Sequence, residues 1–238
     1  MITRFSQRAE TVEIMDDLQC SGEVVYQTLR ELEIINRWLG GNTVTIDGIK
    51  NLIPEKTDSK ITIADIGCGG GDILKEIANW GKEKNLDLDL TGIDANPNII
   101  EFAKNNTQTF KEINYKTHNV FSEGFQKTKY DIIVATLFTH HFNNQDLARL
   151  ISSMVKQCRI GVVINDLHRH WFAYHSIRLL TKWFSKSPMV QFDAPVSVLR
   201  AFHRSDIISI LKDAGINNYS LKWKWAFRWQ LIIPASLA

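Results

Sequence analysis

The chain of 238 residues is long enough for one domain with a large core and a further segment laid over it. Its 28 basic and 26 acidic residues leave a formal charge of +2, which carries no footprint of a nucleic acid or a polyanionic partner. Cys20, Cys68 and Cys158 are too scattered for a disulfide framework or a paired metal site. "MITRFSQRAE" lacks an apolar signal core and no apolar run nears the roughly 20 residues of a spanning helix, so the expected location is cytoplasmic.

In chain order, Val25, Leu29, Leu32, Ile35 and Leu39 fall at helical spacing across residues 22–39, and "LGG" stops that helix. A shorter helix is expected from Val44 to Ile53, ending at Pro54, with "PEKTDSK" as a polar linker. Residues 1–60 are thus expected to form a helical N-terminal lid segment, and residues 61–238 the main domain.

From there strands and helices alternate. "KITIADIG" suits a buried parallel strand, and "DILKEIANWGKEKN" puts Ile73, Leu74, Ile77 and Trp80 on one helical face. "LDLTGID" (strand), "NPNIIEFAKNN" (helix), "INYKTHNV" and "YDIIVATLF" (strands), "NQDLARLISSMVKQC" (helix) and "RIGVVINDL" (strand) follow. This spacing predicts βαβ units, hence an α/β fold whose parallel sheet is covered on both faces. Residues 167–190, with "HWFAYHSIRLLTKWF", interrupt the alternation as a helical insertion after the fifth strand, and "HRSDIISILKDAGI" resumes it. The tail "LKWKWAFRWQLII" alternates strictly, with Leu221, Trp223, Trp225, Phe227, Trp229 and Leu231 on one face and Lys222, Lys224, Arg228 and Gln230 on the other. It predicts a single antiparallel strand with one buried face.

The glycines of "IADIGCGGGD" stand at a strand-to-helix turn, where missing side chains let backbone N–H groups approach a ligand. The dinucleotide fingerprint fails, because its sixth position is Asp72 counted from Gly67 and Leu74 counted from Gly69; a P-loop fails for want of a Lys-Ser/Thr pair. What remains is Asp65, Gly67, Gly69 and Gly71 as D-x-G-x-G-x-G, with Asp94 ending the next strand in "LTGIDANP". A carboxylate there can accept from both hydroxyls of a ribose at the sheet's switch point. The ligand is then an adenosine carrying something other than a pyrophosphate.

At these residues the chain resembles the class I S-adenosylmethionine-dependent methyltransferases, of the small-molecule type seen in ubiquinone and menaquinone biosynthesis. "YDIIVATLFTHHF" and "SVLRAFHRSDIISILKDAGI" resemble later stretches of the same family. The resemblance implies S-adenosyl-L-methionine as cofactor and a Rossmann-like seven-stranded sheet, mostly parallel, with an antiparallel last strand. It implies that the loop from Asp65 through Gly67, Gly69 and Gly71 contacts the methionine portion and ribose, and that Asp94 holds the ribose hydroxyls. Ala95 and Asn96 would flank the adenine. Asn119 of "HNV" stands where the family often has an Asp that meets the adenine amino group.

Methyl transfer from a sulfonium is an in-line displacement in which alignment alone can remove on the order of 7–11 kcal/mol of barrier. A phenol, enol or carboxylic acceptor also needs a base, expected at the carboxyl ends of strands four and five. "THH" offers His140 and His141, and "NDLHRH" offers Asp166, His168 and His170; His140 and His168 are the candidate catalytic bases. The same donors could form a metal site, but neither His pair has zincin spacing, and no metal is expected.

Trp171, Phe172, Tyr174, Ile177, Leu180, Trp183 and Phe184 give the insertion more apolar surface than one helix face requires. Either they pack as core or they cover a small lipophilic acceptor, aromatic or quinone-like, methylated on oxygen or carbon. Arg169, Arg178, Lys182 and Lys186 beside them allow a peripheral membrane contact. "KWKWAFRW" needs no nucleic acid to explain it, since period two makes it a strand, and no nucleic-acid partner is expected. Other readings stay open: an RNA or protein methyltransferase, an NAD(P)-binding oxidoreductase, and a catalytically silent cofactor-binding protein.

Overall fold

The computed structural model describes residues 4–53 and 59–235, so most of the expected linker "PEKTDSK" lies outside the described residues. Two N-terminal helices, α1 (Glu23–Trp38) and α2 (Gly41–Lys50), precede the alternating part. There follow β1 (Ile61–Ile66), α3 (Asp72–Lys84), β2 (Leu88–Asp94), α4 (Pro97–Asn106), β3 (Ile113–Thr117), α5 (Glu123–Gln126), β4 (Tyr130–Thr136), α6 (Asn144–Gln157) and β5 (Cys158–Leu167). Helices α7 (Trp171–Phe184), α8 (Pro188–Arg200) and α9 (Arg204–Asp213) lead to β6 (Ser220–Lys224) and β7 (Arg228–Pro234).

The seven strands form one sheet in the order β3-β2-β1-β4-β5-β7-β6. Pairs among β1 to β5 are parallel, and β7 runs antiparallel to both β5 and β6. Side chains of β1 alternate between two cores. Ile61 and Ile63 pack with Ile49 of α2 and Leu74 and Ile77 of α3, while Ala64 and Ile66 pack with Leu150 of α6 and Ile210 of α9. Burial on both faces is why these strands are apolar almost throughout. The chain reverses direction along the sheet between β1 and β4, so their carboxyl ends border the crevice where such sheets bind ligands.

Local signals fix the helix starts around that crevice. Asn96 caps α4 by accepting the Asn98 amide at 2.9 Å, with Pro97 at the first helical position, and Asn143 caps α6 by accepting the Asp146 amide at 2.9 Å. No helix among the described residues is long and apolar enough to cross a membrane.

Three expectations need correction. The strictly alternating tail is a hairpin, β6 and β7 joined by a turn at 225–227, where Phe227 adopts a φ of 56°. Because β7 lies between two strands and under α2, both its faces are covered: Arg228 and Gln230, expected toward solvent, are buried. The insertion after strand five extends beyond residue 190, since α8 continues it to Arg200. Arg169, expected on a basic surface, is fully buried, pairing with Asp206 at 2.9 Å and donating to the carbonyls of Phe5 and Ala201.

Candidate active site

A cavity of about 700 Å³ opens above the carboxyl ends of β1, β2 and β4. Its first half is built on the glycine loop. Gly67 and Cys68 donate their amides to the Ile93 carbonyl at 2.8 and 3.1 Å, which pins the loop to β2. Gly67 has a φ of +66°, and a Cβ there would lie 2.1 Å from the Phe138 ring; Gly69 faces open space, with only Leu29 among the described residues within 4 Å of such a Cβ. Asp65, Gly67, Gly69, Asp94, Ala95 and Asn119 all line the cavity. Gly71 does not; it caps α3 and packs under the Tyr115 hydroxyl.

This half is acidic and short of partners. Asp65 is buried, and among the described residues its Oδ1 has no hydrogen-bond partner. Burial drives its carboxyl pKa well above the ordinary value, and Asp72 and Asp94 push the same way. Asp94 is also raised by burial, against the amides of Asn96, Gly69 and Ala95, which favour its ionised form. Asn119 Oδ1 accepts the Phe121 amide at 2.9 Å, which holds the side chain at the cavity wall. An orphan carboxylate oxygen beside open, glycine-lined space fits a ligand that brings positive charge and hydroxyl donors. A sulfonium nucleoside with an ammonium group has both, so Asp65, Gly69 and Asp94 are the residues able to hold it.

The second half holds the histidines. His140 is buried; its Nδ1 donates to Asp166 Oδ1 at 2.7 Å, and its Nε2 lies 3.6 Å from Glu13 Oε1. Asp166 is further held by the Thr139 hydroxyl at 2.6 Å and by the His140 and Leu167 amides at 3.1 and 2.7 Å. Burial works against charge on His140, but Asp166 and Glu13 outweigh it and raise its pKa. His141 is only partly buried and lines the cavity. Its Nδ1 donates to Asp16 Oδ1 at 2.5 Å, and among the described residues its Nε2 has no hydrogen bond. Arg200 braces this pair, with Nη1 2.6 Å from Asp16 Oδ2 and Nη2 2.6 Å from the His141 carbonyl. Burial opposes ionisation of Asp16, yet His141 and Arg200 carry its carboxyl well below the usual range.

His168 also lines the cavity, half-buried, with Nδ1 accepting from the Trp223 indole at 3.2 Å. Burial, helped by His170 and His203, lowers its pKa to about 4. Glu13, His140 and His141 present donor atoms within 4.8 Å of one another. A guanidinium 3.2 Å from Glu13 and carboxylates on both Nδ1 atoms make the group an ion-pair network.

Of the residues singled out from the sequence, Asp65, Asp94, Asn119, His140, His141 and His168 line this cavity and His170 does not; Asp16 and Arg200 carried no signal in the sequence. Asp16 and His141 stand 125 positions apart, and no spacing rule joins them.

A family model described as a methyltransferase domain matches residues 63–161. The sheet order and solved structures similar to the chain agree with it: this is the fold of the S-adenosylmethionine-dependent methyltransferases, and residues 63–161 match a methyltransferase domain. Among relatives, the ubiquinone biosynthesis O-methyltransferase of Hydrogenovibrio crunogenus is 28% identical over 139 residues, covering 56% of this chain and 52% of its own. The plantazolicin methyltransferase BpumL, solved with SAH, superposes with a TM-score of 0.63 at 20% identity over 89% of this chain and 87% of its own. Human N-acetylserotonin methyltransferase, solved with SAM, gives 0.62 at 13% identity over 89% of this chain and 56% of its own. The chain spans 34% and 52% of the lengths of two curated relatives it matches.

Proposed function

We propose that the chain transfers a methyl group from S-adenosyl-L-methionine to a small, largely apolar acceptor through an ionisable hydroxyl. A phenol would be methylated on oxygen, and an enol on oxygen or carbon. When bound, the cofactor supplies a methyl group on a positively charged sulfur. Asp94 takes the ribose hydroxyls, Ala95 and Asn119 border the adenine, and Asp65 and the loop amides around Gly69 face the methionine portion. The N-terminal segment serves as a lid, contributing Leu18, Leu29 and Asn36 to the cavity wall.

The observation that carries this reading is the His141–Asp16 pair. An aspartate can only accept, so the proton of His141 sits on Nδ1 and leaves Nε2 basic at the cavity. A hydroxyl within reach of Nε2 gives up its proton there, and Asp16 stabilises the imidazolium formed. His140, locked between Asp166 and Glu13, positions its neighbour, and His168, weakly basic, packs the cavity wall. The test is release of S-adenosylhomocysteine, followed by mass spectrometry, across a panel of phenols, catechols and quinols. His141→Gln should lower turnover on the order of 10²-fold or more and leave S-adenosylhomocysteine affinity unchanged. Wild-type turnover in that variant would remove the base from the proposal.

A membrane-surface role is favoured by α7, where Trp171, Leu179, Trp183 and Phe184 are exposed beside Arg178, Lys182 and Lys186. The acceptor would then be drawn from a bilayer. Flotation with anionic vesicles, lost in Trp183→Ser/Phe184→Ser, checks this; equal recovery of the variant refutes it.

A further inference from the structure

Arg228 opens β7 beside the end of β5, pairing in register with Leu167, and its side chain turns under α1 and α2. It is 2% exposed, yet among the described residues it has one hydrogen bond, from Nη2 to Asn36 Oδ1 at 2.8 Å. Its Nε and Nη1 have no partner, and no carboxylate lies within ion-pair distance of it among the described residues. A buried guanidinium in that state costs free energy that a bound anion would recover. Burial lowers its pKa only to about 10, so it stays charged at neutral pH. Space has been kept for it: a Cβ on Gly41 would lie 2.6 Å from the guanidinium carbon. Arg228 lines the same cavity as the glycine loop.

Helix α1 measures where in that cavity the unpaired cation lies. Leu29 sits at Gly69, whose amide faces Asp94. Seven residues further on, Asn36 reaches Asp72 with its Nδ2 at 3.5 Å and holds Arg228 with its Oδ1. At 1.5 Å per residue those positions are about 10 Å apart along α1, which sets the guanidinium further along the cavity than the glycine loop. The same cavity holds the other orphan. Asp65, Asp72, Asn36 and Arg228 line one cavity, and Asn36 bridges Asp72 and Arg228, so the carboxyl with an orphan oxygen and the unpartnered guanidinium open onto the same space. An orphan carboxyl oxygen and an unpartnered cation on one cavity wall complement a zwitterion, the form of an α-amino acid.

We propose that Arg228, steadied by Asn36, binds the carboxylate at the amino-acid end of the nucleoside cofactor, with Asp65 taking the adjacent ammonium. The assignment rests on the S-adenosylmethionine reading above. Calorimetry with S-adenosylhomocysteine and with 5′-methylthioadenosine, which lacks the amino-acid end, tests it on wild type, Arg228→Met and Arg228→Lys. Arg228→Met should weaken S-adenosylhomocysteine on the order of 30-fold or more and leave methylthioadenosine within about two-fold, while Arg228→Lys recovers part of the loss. Ligand-free Arg228→Met should melt no lower than wild type, since an uncompensated buried charge is gone; if it fails to fold, the Lys variant carries the comparison. Unchanged S-adenosylhomocysteine affinity, equal weakening of both nucleosides, or a loss confined to the KM of a carboxylate-bearing acceptor would each overturn the assignment. Wild type that binds neither nucleoside would sink the functional reading along with it.

Discussion

Asp94→Asn tests the proposed ribose contact with the least change in shape. Asp94 closes β2; its Oδ1 accepts the Asn96 amide at 2.9 Å, and the amides of Gly69 and Ala95 also favour its ionised form. A carboxylate offers about four lone-pair positions, so the backbone leaves room for a ribose hydroxyl. A hydrogen bond to an ionised group contributes about 1.5–3 kcal/mol. Asparagine keeps one acceptor oxygen and turns an NH2 group toward either the ribose or the backbone donors, so at least one such bond is lost. We expect a loss of about 2–4 kcal/mol, on the order of 10²-fold in Kd. Titration with S-adenosylhomocysteine reads it, and a 2′-deoxy analogue closes the cycle by losing affinity in wild type but little more in the variant. Burial raises the Asp94 pKa, and only the ionised form accepts from both hydroxyls, so wild-type binding should weaken as pH falls through that raised value. Full affinity in Asp94→Asn, or an additive effect of the deoxy analogue, would refute the contact.

Asp65→Asn should stabilise the ligand-free protein near neutral pH while weakening cofactor binding. The folded Asp65 pKa is raised, so the neutral form's stability is complete below the ordinary value of 3.8 and is lost as pH rises through the folded value. Urea unfolding at pH 5 and 7.5 should therefore show the variant's gain growing with pH. Gly67→Ala should cost about 2–4 kcal/mol, from about 1–2 for the left-handed backbone plus displacement of Phe138, whereas Gly215→Ala, with a φ of +75° in open space, should show the backbone cost alone. Denaturant midpoints compare the two. Arg169→Met should cost about 3–5 kcal/mol in the same assay, because it strands Asp206 and the carbonyls of Phe5 and Ala201.

The alternating core was legible because its strands are buried on both faces and its helices on one, so the hydrophobic period switches at each junction. Asp94 was legible for a related reason: a strand's last residue in a parallel sheet borders the crevice whatever the helices do. The tail misled because its alternation runs unbroken through a turn, and period two cannot say that the polar side of β7 is covered by α2. Helix α8 was hidden by Pro195 in its interior, which removes an amide and argues against a helix in sequence terms. Asp16, Arg200 and Arg228 gave no signal, since each acquires its role from a residue more than 50 positions away.

The two halves of the cavity are drawn from different parts of the chain, and this separates what each can determine. Asp65, Gly69, Asp94 and Asn119 lie inside the span that matches a methyltransferase domain. The far wall comes mostly from outside it: Leu18 and Leu39 before, Phe172, Leu180 and Trp225 after. The candidate base straddles the divide. His141 belongs to the matched span, but Asp16 belongs to the N-terminal segment and Arg200 to α8, and Arg8 joins them through the carbonyls of His140 and Arg200 at 2.9 and 2.7 Å. An imidazole without its carboxylate partner is free to rotate and to take either tautomer, so the N-terminal segment fixes the proton on Nδ1. In the proposed mechanism that segment therefore completes the base at the same time as it walls the cavity. Under the function proposed above, the flanking segments set the acceptor's shape and its deprotonation, and the matched span holds the methyl donor.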